Sequence, residues 1–96
     1  MRSIQEIKST LGNHKDHLFS DYPIQSIAIF GSFSRKDNTK DSDLDIIVEF
    51  HDKIGIRFID LAEEIEKIVG LRVDLVSKNG IKEKYLKSIS SDLIYV

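Results

Sequence analysis

The apolar positions of this 96-residue chain fall into short segments with two different periods. Between residues 2 and 20, Ile4, Ile7, Leu11 and Leu18 recur at helical spacing, and Gly12-Asn13 either ends one helix or splits the stretch into two. Asp21-Tyr22-Pro23 reads as a turn. Residues 24–30 (IQSIAIF) are rich in Ile and bounded by that turn and by Gly31, which predicts a buried strand. Residues 31–42 are polar, with a possible helical turn after Ser32. In 43–50 (DLDIIVEF), Leu44, Ile46, Val48 and Phe50 alternate with Asp43, Asp45, Ile47 and Glu49, the two-faced pattern of a strand.

A turn at 51–53 leads to residues 55–69, where Phe58, Leu61, Ala62, Ile65, Ile68 and Val69 form one helical stripe, and Gly70 is a natural stop. Residues 71–77 alternate again, with Leu71, Val73 and Leu75 opposed to Arg72, Asp74 and Val76. Ile81, Tyr85, Leu86 and Ile89 predict a last helix over 81–90, and 92–96 a short closing strand. The order of elements predicts an α/β (α+β) fold, a small mixed β-sheet with helices packed on it, and one domain spanning residues 1–96.

Composition narrows the function. About a third of the chain is Ile, Leu, Val or Phe, enough for a modest core. Sixteen acidic residues against 14 Lys plus Arg give a net charge of -2, which speaks against stable nucleic-acid binding. The absence of cysteine excludes disulfides, a thiolate zinc site and a cysteine nucleophile. No apolar run reaches the length of a membrane span, and the N-terminal MRSIQEIKST lacks the apolar centre of a signal peptide, so a cytoplasmic protein is expected.

The chemistry concentrates in a few residues. Asp43 and Asp45, two apart on a strand, point to one face, where like charges disfavour each other's ionised forms unless a cation offsets them. Hard cations such as Mg²⁺ suit such carboxylates together with substrate phosphates. Asp74 lies on the polar face of another strand; if the two strands are neighbours, three carboxylates converge. Otherwise it pairs with Arg72 or Lys78. Gly31-Ser32 follows the first strand and offers close backbone approach, a hydroxyl and backbone N–H groups to a phosphate. Arg35 could add a charge toward it. His14, His17 and His51 are scattered, without a placeable second and third zinc ligand, and read as surface histidines. Lys78, Lys82, Lys84 and Lys87 outweigh Glu83 along the last helix, which reads as a solvated face. Tyr22, Tyr85 and Tyr95 read as packing residues.

Taken together, IAIFGSFSRKDNTKDSDLDIIVEF followed by LRVDLVS resembles the minimal nucleotidyltransferases of the DNA polymerase beta superfamily: a strand, Gly-Ser, Asp-x-Asp on the next strand and a third Asp on a later one. The resemblance covers about residues 24–95 and implies that fold. It implies that Asp43 and Asp45 bridge two Mg²⁺ ions and that Asp74 serves the ion activating the acceptor hydroxyl. Gly31 and Ser32 would hold the phosphates of ATP, with Arg35 beside them. Ser42, next to the first Asp of the pattern, is grouped with the nucleotide-binding residues, although a plain strand-start serine is the favoured role for it. One departure is Lys36, where relatives usually carry glycine. Such small members resemble the antitoxin of pairs whose partner is a helical HEPN-type toxin, and they transfer AMP to a tyrosine of that toxin. Two alternatives are a module that neutralises a partner by contact alone and an adenylyltransferase of small molecules.

Overall fold

The computed structural model describes residues 3–96. Ser3 opens helix α1 (Ile4–Asn13), its hydroxyl accepting the Glu6 N–H at 3.2 Å. The periodic stretch does divide in two. His14 forms the joint, and α2 runs Lys15–Asp21. Residue 2, at the start of the helical pattern, lies outside the described residues. Strand β1 (Ile24–Phe30) is followed by a single turn of helix, α3 (Ser32–Arg35), and strand β2 (Leu44–Phe50). Helix α4 (Arg57–Val69) ends on Gly70 at φ +69° and leads into β3 (Val73–Ser77). A 3-10 turn (Lys78–Gly80), α5 (Glu83–Ile89), a second 3-10 turn (Ser90–Asp92) and β4 (Ile94–Tyr95) complete the order.

The sheet has the order β3-β2-β1-β4. β1 pairs antiparallel with β2 and with β4, whereas β2 and β3 run parallel, joined by α4. Parallel pairing needs a crossover of this length, and the 13-residue α4 supplies it. The mixed sheet with helices packed on it is the architecture the alternation predicted.

Both faces are covered, by unequal layers. Ile7, Leu11, Leu18, Leu61 and Ile65 of α1, α2 and α4 pack on Ile27, Ile29, Leu44, Ile46 and Val48 in the larger core. On the other face Ala28, Phe30 and Ile47 meet Ile89, with Leu86, Ile81 and Val76 around them, so α5 covers only part of that face. Two side chains stand in for missing strand partners. Asn79 exchanges hydrogen bonds with Phe50, its Oδ1 accepting the Phe50 N–H at 3.0 Å and its amide donating to the Phe50 carbonyl at 3.2 Å. Glu66 Oε2 accepts the Val73 N–H at 2.8 Å. Between α2 and α4 the buried Tyr22 phenol donates to Glu64 at 2.8 Å. Burial and that hydrogen bond push the phenol up to about 12, so it stays a donor, and the same bond holds the Glu64 carboxyl below the usual range. Tyr85 and Tyr95 are about half exposed, against the expectation that they pack, because α5 and the two-residue β4 are amphipathic layers with one side toward solvent. No helix among the described residues is long and apolar enough to cross a membrane.

Lys36 follows α3 at φ +64° and ψ +28°, the one non-glycine residue at positive φ among those described. The left-handed conformation costs an L-residue roughly 1–2 kcal/mol, which gives a physical reason for glycine at this position. Lys36→Gly should therefore stabilise the protein, by up to about 1 kcal/mol after the greater chain entropy of glycine is subtracted. Urea denaturation checks this; a variant less stable than the parent would show that the lysine side chain contributes more than the backbone conformation costs.

Candidate active site

The carboxylates gather at the N-terminal ends of β2 and β3. Because these strands are parallel, their register fixes who meets whom: Asp45 lies directly opposite Asp74, and on its other side opposite Phe30. Directly paired residues share a face, so the two acids stand side by side on the face that α5 only partly covers. Asp43 sits one residue before β2, half exposed, where Arg72 Nε meets its Oδ1 at 3.1 Å. The cations considered as partners for Asp74 are thus engaged elsewhere, Arg72 with Asp43 and Lys78 with Glu49 at 3.7 Å.

Electrostatics single out Asp45. Its carboxyl is pushed above the usual range, first by burial, then by the charges of Asp74 and Asp43; Arg35 opposes the shift. An all-oxygen donor set with surplus negative charge fits a hard divalent cation such as Mg²⁺, and the three carboxylates are the groups that would hold it.

Gly31 explains how the chain after β1 comes against these acids. It is buried at φ +75° and ψ −150°, a region essentially confined to glycine. A Cβ there would stand 2.1 Å from Asp45 Oδ2. The backbone thus runs against the carboxylate, bringing Ser32, at the start of α3, to the edge of the acidic patch. The single turn of α3 is closed by Arg35 N–H on the Gly31 carbonyl (3.0 Å) and Asp37 N–H on the Ser32 carbonyl (3.0 Å). Arg35 lies close enough to act on Asp45, yet its guanidinium is engaged by Asp37 and Asp92, each at 3.2 Å. Those two carboxylates, Asp37 first, hold it firmly charged. Ser34 donates to the Asp92 carbonyl, so α3 is tied at two points to the segment before β4. Ser42 has a local role: its hydroxyl accepts the Thr39 N–H at 2.9 Å and closes the turn before Asp43.

The structure therefore brings together Gly31, Ser32, Asp45 and Asp74, with Asp43 and Arg35 at the rim. Asp92 also belongs to this surround; it lies 57 residues from Arg35, and no local pattern announces the pairing. A cavity of 390 Å³ lies toward the opposite end of β2, lined by Phe50, His51, Asp52 and Asn79, whereas the acids stand on an open, partly covered sheet face.

Residues 11–96 match the family described as nucleotidyltransferase domain, and the chain belongs to that family. Across its whole length it is 46% identical, over 98 residues, to MJ0128 of Methanocaldococcus jannaschii, named as a candidate protein adenylyltransferase, with 100% of both chains covered. It is 38% identical over 97 residues to the protein adenylyltransferase MntA of Thermococcus cleftensis, covering 100% of this chain and 98% of that one. Among solved structures, a toxin–antitoxin crystal structure with AMP-PNP superposes with a TM-score of 0.72 at 26% identity, over 86% of this chain and 69% of the other. A chain from the complex of a tri-AMPylated Shewanella oneidensis HEPN toxin with an MNT antitoxin shares the fold, with a TM-score of 0.66 at 23% identity over 92% and 70% of the two chains.

Two outcomes follow from the geometry. Gly31→Ala should lower the melting temperature and displace the Asp45 carboxylate, reducing nucleotidyl transfer to the level of Asp45→Asn; full activity in the alanine variant would show that the close approach is dispensable. Asp45→Asn should raise the melting temperature in metal-free, chelator-treated buffer at neutral pH. The folded state raises this carboxyl's pKa, so its repulsion is a cost above that pKa and disappears as the pH falls through it. The gap between variant and parent should accordingly shrink on acidification. A gap that stays constant with pH, or a variant that melts lower, would make Asp45 a structural residue.

Proposed function

We propose that this chain, residues 1–96 acting as one nucleotidyltransferase domain, transfers AMP from ATP to a tyrosine hydroxyl of a HEPN-type toxin and so serves as its antitoxin in the cytoplasm, where ATP is supplied. The observation that carries the proposal is Asp45 in register with Asp74 beneath the Gly31 approach, in a chain aligned end to end with a protein adenylyltransferase.

The acceptor oxygen attacks the α-phosphorus of ATP, the bond to the bridging oxygen breaks, and pyrophosphate leaves with that electron pair. Asp74, the most exposed of the paired acids, faces the acceptor and takes the proton its hydroxyl loses. Gly31 and Ser32 receive the phosphates through backbone N–H groups and the Ser32 hydroxyl. Arg35 adds positive charge on the same side, shared with Asp37 and Asp92. Asp43, Asp45 and Asp74 would hold Mg²⁺, which when bound would neutralise the triphosphate and the clustered acids and polarise the phosphoryl oxygens. Ser42, grouped with the nucleotide site by its place in the pattern, acts by fixing the turn that delivers Asp43. Binding the toxin places its hydroxyl against the α-phosphate, and that positioning supplies much of the rate.

Incubating the protein with a HEPN-type toxin, ATP and Mg²⁺ should raise the toxin's mass by one AMP or a small multiple, with the modification on tyrosine. Asp45→Asn should give no mass gain while still binding the toxin. A tight complex in which the toxin is silenced and its mass never changes would overturn the enzymatic reading in favour of neutralisation by contact.

A further inference from the structure

On the sheet face opposite the acids, α2 and α4 bring together one histidine and two carboxylates that lie far apart in sequence. His17 Nε2 stands 2.8 Å from Glu64 Oε1 and 3.2 Å from Asp21 Oδ2. The three atoms lie within 4.8 Å of one another. A ring nitrogen carries at most one hydrogen, so a single Nε2–H cannot serve two carboxylate oxygens well. An ion among them can. At bond lengths of about 2.0–2.2 Å, neighbouring ligands of a tetrahedral or octahedral ion stand roughly 2.9–3.5 Å apart, near the two distances that His17 makes to its carboxylate partners.

The ligands are held from outside the cluster. His17 and Asp21 are one turn apart on α2 and share a face. The second oxygen of Glu64 accepts the Tyr22 phenol at 2.8 Å, and Tyr22 is itself buried beneath Arg57, which lies 4.9 Å from the ring centroid. Arg57 also donates to the Asp21 carbonyl, fixing the end of α2. Support of this kind, applied to the ligands' remaining atoms, orients metal-binding side chains. The side chains of His17 and Asp21 are 56% and 50% exposed, which leaves coordination positions to water. One imidazole nitrogen with two carboxylates suits Zn²⁺ and its first-row neighbours better than Mg²⁺ or Ca²⁺, which take oxygen ligands.

We propose that His17, Asp21 and Glu64 form a site for a Zn²⁺-class transition-metal ion that staples α2 to α4, independent of the carboxylates of the active site. Histidines that read as scattered surface residues thus include one whose ligand partners come from the fold.

Co²⁺ is the probe, because its visible absorption reports coordination without any assay of activity. The titration is made on the full chain carrying Asp45→Asn, which weakens the other metal-binding patch. One equivalent of Co²⁺ should give saturable absorption, Zn²⁺ should abolish it by displacement, and Zn²⁺ should raise the melting temperature. Adding His17→Gln or Glu64→Gln should weaken Co²⁺ binding at least about tenfold with unchanged far-UV circular dichroism. The two variants act on different helices, so a folding defect in one leaves the other informative. No saturable absorption in the Asp45→Asn chain, or the same titration after both added substitutions, overturns the proposal.

Discussion

Asp45 and Asp74 repel each other, and the rest of the molecule is arranged so that they cannot move apart. The parallel pairing of β2 with β3 sets them opposite each other. That pairing exists because α4 returns the chain along the same direction and buries Leu61, Ile65 and Val69 against the sheet. Burial of the apolar side chains that alternate with the acids, Leu44 and Ile46 on one strand and Val73 and Leu75 on the other, keeps both strands in register. The repulsion is thus offset by hydrophobic packing on the far face of the sheet, and the net negative field is of the sign that attracts a cation.

Much of this was legible in the order of residues. Period-two alternation in 43–50 and 71–77 placed the acids on one face of each strand, and the length of the intervening helix allowed the strands to be neighbours. Gly31 stood out by its place after a strand, though only the fold shows that its missing side chain makes room for the Asp45 carboxylate. What escaped were the single polar contacts between separate elements. Asp92 grips Arg35, Asn79 continues the ladder beside Phe50, and Glu64 meets His17 across 47 positions. None of these leaves a periodic trace, because a single polar contact between separate elements imposes no spacing on its neighbours. Tyr85 and Tyr95 misled for a related reason: an aromatic on an amphipathic element carries no mark of how completely its layer is covered.

The loop between β1 and β2 shows how two backbone demands can be met differently. At Gly31 the conformation and the adjoining carboxylate both exclude a side chain. At Lys36 the conformation alone disfavours one, and the exposed position leaves room for it. A lysine is therefore tolerated there at a modest cost in stability, while the residues on either side keep their places.

The double tie from Ser34 and Arg35 to Asp92 also divides the loop's contacts into local and distant ones. β1, β2, α4 and β3 span residues 24–77, so the pairing that sets Asp45 opposite Asp74 draws on one continuous stretch of the chain. Arg35 finds Asp37 within that stretch, whereas its second carboxylate comes from residue 92. The acid pair thus belongs to the middle of the chain alone, while the full clamp on the neighbouring arginine closes only when the C-terminal segment docks beside it.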